Sequence, residues 1–491
     1  MNNFTKAFIF QMARRTGTVL TQRHFQILEF ANEYYYRHRV GPLFNILRNK
    51  LGVERDELDH LFPNGLYSVY SWIGIPVQDP NHACKPIANV DVPDFREVYF
   101  DHNGTTYIRD EVKSILVDYY NGEYGYGNPS SSTIPGKQAY ERIFEARSRI
   151  AKTLGVISPE IVFTGSGSEA NNMAIKGIAL KHLGKHKHII SCKTEHPSVL
   201  NSLAWLEQIG FDVTLLDVGK DGTVSPADVA RAIRRDTILV SVMAANNEIG
   251  AINPIDAIGE ICRTKKIPFM VDGVQAYGKL ALNPKKSGIN LLSFSAHKIY
   301  GPKGIGALYV DEGLDLAPLI HGGEQEFERR AGTENVGFIL AFGKAASLMH
   351  KEREKEWERL KKLNRLFIKR LDESVPGYIV NGSLDNRLPN NLNIGFPDVD
   401  SGALLLSLNQ IGIYVSSGSA CSSGSHEESH VIKSLGVDIK KYGSIRFSFG
   451  LRTTEDDINY LFQYLPQILE QLKRENDSDA IPDQSVIASS N

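Results

Sequence analysis

Residues 291–304 read LLSFSAHKIYGPKG. The run opens as an apolar, strand-like stretch (Leu291–Phe294), then breaks through Ser295, Ala296, His297 and Lys298 into a Gly/Pro turn. A lysine just past the end of a buried strand stands where an open α/β sheet gathers its ligands. Desolvated there, its amine can lose its charge and attack a carbonyl. The hydroxyl of Ser295 and the imidazole of His297 just before it suggest a Schiff-base lysine beside a phosphate-binding patch. The competing reading is a solvated surface lysine, and the stretch alone does not decide between them.

Working outward, short β-branched runs recur: IVFT (161–164), HIIS (188–191), VTLLDV (213–218), TILVSVM (237–243) and FMVD (269–272). Helical stretches such as EANNMAIKGIALKHL (169–183) and PIDAIGEICRTKK (254–266) lie between them. The alternation predicts a mainly parallel sheet covered by helices on both faces. A charged helix, KEREKEWERLKKLNRLFIKRLDE (351–373), bridges into a smaller C-terminal α/β unit, and the polar stretch 475–491 is expected to be disordered. Before the sheet, residues 20–76 read as compact and helical. LTQRHFQILEFANEYYYRH repeats Phe25, Leu28, Phe30, Tyr34 and Tyr35 at near-helical spacing with Thr21 as N-cap. PLFNILRNKLG gives a second helix closed by Gly52, and Leu66–Ile73 a third. QDPNHACKPIANVDVPDF (78–95), rich in Pro, Asn and Asp, is a linker that carries Cys84. The expected units are a helical module with linker over 1–90, a large domain over 91–350, a small domain over 351–474 and a tail over 475–491.

Across 491 residues, 42% are hydrophobic and 23% charged, the balance of a globular protein of two or three domains. A net charge of −2 gives no reason to expect nucleic acid or an anionic membrane as partner. In MNNFTKAFIFQMARRTG the arginines follow the apolar run, the reverse of a signal peptide, and no run is long enough to span a bilayer. Four cysteines do not make a disulfide framework, so a reducing cytoplasm is expected. No metal-ligand set is expected.

Several stretches fall at the ends of the predicted strands. After IVFT comes GSGSEANN, where the free N–H groups of a helix-opening turn at Gly167 and the Ser168 hydroxyl suit a phosphate. His196, in TEHPSVL, can stack on an aromatic ring, and Asn247, in AANNEIG, can hydrogen-bond a ring oxygen. Asp272 closes FMVD and can hold a protonated ring nitrogen, with Gln275 one turn on. Each has an ordinary structural reading taken singly. Together with Lys298 they form the set that pyridoxal 5'-phosphate (PLP) needs: an amine, a carboxylate for the pyridine nitrogen and a phosphate cradle. SSGSACSSGS (416–425) sets Cys421 among small residues, which suits a reactive thiol, whereas Cys192 and Cys262 read as buried. Arg446, in GSIRFSFG, can fork onto a substrate carboxylate, against the alternative of a surface ion pair. A mobile thiol beside PLP points to sulfur removal from an amino acid.

From about Val98 to Ile468 the sequence resembles a cysteine desulfurase of the NifS/IscS type, in the class V aminotransferase family of PLP fold type I. The resemblance rests on VYFDHNGTT, YGNPSS, FTGSGSEANNMAIKG, EHPSVL, NNEIG, VDGVQAYGK, SFSAHKIYGPKGIGALY, RRAGTENV, LPNNLNIGFP and SSGSACSSGS, all in order. It implies L-cysteine as substrate and a homodimer in which Thr333 reaches the cofactor phosphate of the neighbouring subunit. It also implies that Lys298 holds PLP and moves protons, that His196 stacks on the ring, and that Cys421 takes the substrate sulfur as a persulfide. Sulfur-acceptor proteins, such as an iron–sulfur scaffold or relay proteins, would follow. Two departures stand out: Ser295-Ala296-His297 replaces the usual Ser-Gly-His, and Ser132-Thr133 replaces the histidine after NPSS. Selenocysteine lyase, aminotransferase and non-catalytic scaffold remain as alternatives.

Residues 15–84 resemble the DsrC/TusE sulfur-relay family, on the helix pattern, Leu61-Phe62-Pro63 and Gly74-Ile75-Pro76. Tyr70 stands where that family has a cysteine, and Cys84 is an approximate counterpart of its terminal cysteine. Two readings follow: Cys84 accepts sulfur from Cys421, or the module only docks partners.

Overall fold

The computed structural model describes residues 3–38, 41–42, 44–63, 65–73, 90, 92, 95–123, 125–185, 187–417 and 429–478. Cys84 and Cys421 lie outside the described residues, as does 479–491 of the expected tail; residues 475–478 continue the helix Glu455–Ser478.

The first segment folds as five helices: Asn3–Thr16, Gln22–His38, Phe44–Leu51, Arg55–Leu61 and Gly65–Trp72. The first and fourth went unread in the sequence, one because its apolar run was weighed only as a signal, the other because it is short and charged. On Gln22–His38 the buried stripe is His24, Ile27, Leu28, Ala31 and Asn32, so Phe25, Phe30, Tyr34 and Tyr35 flank it instead of forming it. His24 fixes the register of that helix. Its Nδ1 meets Thr21 Oγ1 at 2.8 Å, its Nε2 meets Leu61 O at 2.8 Å, and its ring packs edge-on against Phe62. Gly52 closes Phe44–Leu51 at φ 65°, a left-handed conformation that glycine adopts without strain. Tyr70 is a core residue whose hydroxyl donates to Pro42 O at 2.6 Å.

The large sheet has seven strands in the order Ile161–Thr164, Gly306–Val310, Leu291–Ser295, Phe269–Asp272, Thr237–Ser241, His188–Cys192, Asp212–Leu216. Strands from Leu291–Ser295 to Asp212–Leu216 are parallel, whereas Gly306–Val310 runs antiparallel to both its neighbours. Period-two side-chain alternation divides the buried residues between two cores. Phe163, Ile190, Val240, Phe269, Val271, Leu292 and Phe294 face one, and Val162, Ile189, Leu239, Met270, Leu291 and Leu308 the other. A sheet covered on both faces leaves its strand ends as the place where polar groups can meet.

The 39-residue helix Val336–Ser374 changes cores along its length: Val336 to Met349 pack with the large sheet, Leu360 to Leu371 with a second layer. That layer holds the antiparallel sheet Tyr442–Ser448, Asn391–Pro397, Ile379–Val380. Val98–Tyr99 pairs with Ile413–Tyr414, and Val98 and Phe100 pack among Phe367, Phe447 and Phe449. The chain therefore passes through the smaller layer before it builds the large one. Among the described residues no helix is long and apolar enough to cross a membrane.

One ion pair braces the edge strand of the large sheet. Arg147 bonds Glu326 through both terminal nitrogens, at 2.6 and 2.8 Å, and also donates to Ile161 O at 2.6 Å. Glu326 accepts in turn from Phe163 N at 2.8 Å. Glu326, Phe327 and Glu328 have φ of 49°, 60° and 63°, a run that non-glycine residues hold only when their surroundings impose it. Glu326→Ala should therefore destabilise the fold by about 3–5 kcal/mol, because Arg147 is left buried without its carboxylate. Urea unfolding measures this; a loss of under 1 kcal/mol would contradict the buried pairing.

Candidate active site

The strand Leu291–Ser295 ends in a single tight turn, Ala296–Lys298. This turn is clamped by the segment 103–106, whose sequence belongs to VYFDHNGTT. Thr106 donates to His297 O through its backbone N (3.1 Å) and its Oγ1 (2.8 Å), and its Oγ1 accepts from Tyr300 N at 3.0 Å. His297 Nδ1 meets Thr105 Oγ1 at 3.1 Å. Burial, then the charges of Lys298 and Lys303, push the His297 imidazole down to about 4, so it is neutral at working pH. Lys298 Nζ donates to Gly104 O at 2.7 Å and to Asn103 O.

Asn103 is the residue that sequence reading missed. It is almost fully buried, and its carbonyl also accepts from Gln275 Nε2 at 3.0 Å. Its side chain donates to Asn247 O (3.1 Å) and accepts from Asn390 Nδ2 (2.9 Å), while its backbone N donates to Ser448 Oγ (2.9 Å). Arg446 Nη1 donates to the same Asn247 carbonyl at 3.0 Å. Lys298, Gln275, Asn247 and Arg446 are thus brought together around one residue. Its only signal in the sequence was its place inside a matched motif.

A second group forms at the next strand ends. Asp272 is 5% exposed; its Oδ1 accepts from Val274 N (2.9 Å) and its Oδ2 from Asn171 Nδ2 (2.7 Å). Asn171 Nδ2 also donates to Ser198 Oγ (2.9 Å), which lies 2.8 Å from His196 Nδ1. His196 caps the helix Pro197–Gln208 by accepting from Ser198 N, and burial lowers its imidazole below its ordinary value against the pull of Asp272. Glu195, buried beside it, accepts from Met243 N (2.6 Å) and from Cys192 Sγ (3.2 Å), and its Oε2 has no partner. Burial, then the charge of Asp272, push Glu195 up to about 8.

Gly167 and Ser168 open the helix Gly167–Leu180, with Ser166 as cap accepting from Glu169 N at 3.1 Å. A Cβ at Gly167 would lie 2.7 Å from Val274 Cγ2, so glycine lets this helix start close against the Asp272 turn. Ser295 is buried with its hydroxyl on Ile305 O. Thr333 is not brought to Lys298: it is exposed and lines a cavity of about 200 Å³ with Thr164, Gly165 and Arg330. Arg446 is neither a surface pair nor an open fork. It is 4% exposed, Nη2 donates to Asp101 Oδ1 at 2.6 Å, and Nε is buried without a partner. The described residues on either side of 418–428 are both fixed here. Ser416 exchanges two backbone bonds with Arg446, Ser429 Oγ donates to Glu248 Oε2 at 2.6 Å, and His430 Nε2 meets Glu195 O at 2.9 Å.

The donor set fits PLP. A carboxylate held by two donors keeps lone pairs for a pyridinium, an amine stands at a strand end, and a capped helix of 14 residues presents its N-terminus. Sheet order and site together define a protein of PLP fold type I. The aminotransferase class-V profile matches residues 98–461, and the chain belongs to that family. A cysteine desulfurase IscS of Dictyoglomus turgidum is 47% identical over 379 residues, which cover 77% of this chain and 96% of the relative. Among solved structures, a NifS-like protein superposes with a TM-score of 0.72 at 34% identity, covering 77% of this chain and 100% of its own. A structure titled SspA in complex with cysteine superposes with a TM-score of 0.64 at 36% identity, covering 72% of this chain and 98% of its own.

Between the ordinary carboxylate range and about 8, folded Glu195 keeps a proton that the unfolded chain releases, so stability falls as pH rises through that window. Glu195→Gln should remove this component, which at its steepest is about 1.4 kcal/mol per pH unit. Urea unfolding at pH 5, 6.5 and 8 compares the two slopes; parallel slopes would show Glu195 ionised throughout.

Proposed function

We propose that the chain is a PLP-dependent cysteine desulfurase that converts L-cysteine to L-alanine and holds the sulfur as a persulfide on Cys421. The observation that carries this reading is the convergence of Lys298, Gln275 and Asn247 on Asn103, with Arg446 on the same Asn247 carbonyl, beside the Asp272–Asn171–His196 group. The matched relative is itself a cysteine desulfurase, and one structural neighbour is described with cysteine.

Bound PLP supplies an electron sink for bond breaking at the substrate carbons. Lys298 holds the cofactor and moves protons at its Nζ. Asp272 would hold the pyridine nitrogen, His196 would pack on the ring, and Asn247 and Gln275 would orient it. Gly167, Ser168, Ser295 and His297 would hold its phosphate, and Thr333 would be supplied across a dimer. Arg446 takes the substrate carboxylate. The Cys421 thiolate attacks the substrate sulfur: an S–S bond forms, the Cβ–S bond breaks, and its electron pair stays with carbon, which takes a proton to become alanine. Carbon is reduced as sulfur is oxidised, so no external oxidant enters.

A homodimer is supported by Val117, Tyr120, Tyr126, Ile134, Tyr140 and Phe144, each more than half exposed along Asp110–Asn121, Ile134–Leu154 and the turn between them. Apolar side chains left this exposed call for cover, and a second copy would also bring Thr333 to a phosphate. The helical module of 1–90 is read as a DsrC/TusE-like sulfur carrier or docking unit, supported by its own buried cluster from Ile9 to Trp72. Cys84 is its candidate acceptor, because a tether raises the local concentration of the second thiol to roughly the millimolar range. Persulfide then passes to acceptor proteins of iron–sulfur assembly or sulfur relay. A reducing cytoplasm suits this chemistry and the free thiols Cys192 and Cys262.

Sulfide and alanine release from cysteine tests the reading. The wild type should release both, and Cys421→Ser should lose more than about a hundredfold while keeping PLP, since the covalent nucleophile is gone. Mass spectrometry after turnover should find persulfide on Cys421 and, in the relay, on Cys84. Full activity of Cys421→Ser would refute the mechanism, and persulfide never found on Cys84 would leave the module a docking unit.

A further inference from the structure

Lys279 lies one turn beyond Gln275, and the reaction proposed above gives it no part. Its Nζ donates to Gln275 O at 3.1 Å and to Gln275 Oε1 at 3.2 Å. The charges it feels are those of Lys298 and Arg446, both positive. Its side chain keeps partial exposure, yet burial of the ammonium, followed by those two cations, pushes it down to about 7. An amine is thus kept where burial and two neighbouring cations oppose its charge, which calls for a reason other than ion pairing.

The reason lies in the ambiguity of an amide. A glutamine can present its oxygen or its NH2 to a ligand with nearly the same shape, and the choice is set by what the other end meets. In its ammonium form Lys279 has donors and no acceptor, so it then takes only the oxygen end of Gln275, against which its Nζ lies. The NH2 end then faces Asn103 O at 3.0 Å, the same carbonyl that Lys298 Nζ contacts. The string has one polarity throughout: Lys279 N–H to Gln275 Oε1, Gln275 N–H to Asn103 O, Lys298 N–H to Asn103 O. Gln275 Nε2 carries two hydrogens and Asn103 uses one, leaving the other for an acceptor on the ligand.

We infer that Lys279 is a positioning residue that, from the opposite end to the Asn103 carbonyl, fixes the polarity of Gln275, so that its amide offers N–H and not C=O to the ligand held at Lys298. The ligand atom facing Gln275 is then an acceptor, as the phenolic oxygen of PLP is when ionised. The inference rests on the reading of Lys298 and Gln275 as cofactor-holding residues. Without Lys279 only the Asn103 carbonyl holds the amide in this sense, and the turned form, which sets a carbonyl against the ligand oxygen, becomes easier to reach.

The test uses the full chain loaded with PLP, reading the visible absorption band and the rate of PLP loss on dialysis. Borohydride reduction and peptide mapping of the wild type locate the cofactor first; PLP found elsewhere than Lys298 overturns the reading of the site and this inference with it. With PLP on Lys298, K279M should shift the band and release PLP about tenfold faster, the equivalent of about one hydrogen bond. Its Tm should be unchanged or higher, since a desolvated cation has gone. K279R, which keeps a donor-only cation, should restore both readouts, and Q275E, which removes the N–H, should reproduce the K279M band. Superposable spectra and release rates for wild type and K279M, a shift that K279R fails to restore, or a wild-type band in Q275E would each overturn the inference.

Discussion

The carbonyl of Asn103, shared by Lys298 and Gln275, is the contact on which the geometry of the site depends. An amine at a strand end has four torsions of freedom, and what fixes it is the acceptor it meets. That acceptor is backbone, and it is held from the outside by Ser448, Asn247 and Asn390. The same segment continues from Phe100, which packs edge-on against Phe449 in the smaller core. The lysine comes from the large sheet and its partners come from the chain leaving the small one. Neither core can shift against the other without moving the carbonyls that hold Lys298. This is why buried polar groups tolerate the interior here: each leaves few unmet bonds, and loosening one exposes the full desolvation cost of the next.

Electrostatics separates two neighbouring carboxylates in the same way. Asp272 is met by two N–H donors, one on each oxygen. Glu195 has one backbone N–H and a thiol, its other oxygen meets nothing, and the charge on Asp272 adds to the cost of ionising it. Glu195 therefore keeps its proton near neutral pH. Asn171 makes the difference between them, because its amide serves Asp272 and Ser198 together and so links the carboxylate to His196.

Much of this was legible because strand ends are punctuated. IVFT, HIIS, FMVD and LLSFS are short apolar runs, and each ends within about five residues of a site residue: Gly167, His196, Asp272 and Lys298. What stayed hidden has a physical cause in each case. Gly306–Val310 lies inside a glycine-rich motif and runs antiparallel, so neither alternation nor a following helix marked it. Asn103 acts mainly through its carbonyl, which every residue possesses. The buried stripe of Gln22–His38 was misplaced because aromatic size outweighed spacing; a histidine and an asparagine occupy the face that tyrosines were expected to fill. Val98 and Phe100 joined the smaller core because a pairing with Ile413–Tyr414, more than 300 residues away in sequence, leaves no local trace.

Arg446 shows how far the geometry constrains the substrate. A fork read from sequence as free for a carboxylate is already engaged, with Nη2 on Asp101, Nη1 on Asn247 O and only Nε unpartnered. A substrate carboxylate arriving there replaces one carboxylate by another, so the charge buried beside the guanidinium need not change. What changes is the number of donors satisfied, since a ligand that reaches Nε as well as Nη2 gains a bond that Asp101 does not make. Asp101 itself sits two residues before Asn103 and is 23% exposed at its side chain, so water can receive it when displaced. The backbone of Arg446 is meanwhile bonded to Ser416. In the proposed function, recognition of the carboxylate would fall to the same residue whose backbone holds Ser416, so a ligand lacking the carboxylate would forfeit the first without disturbing the second.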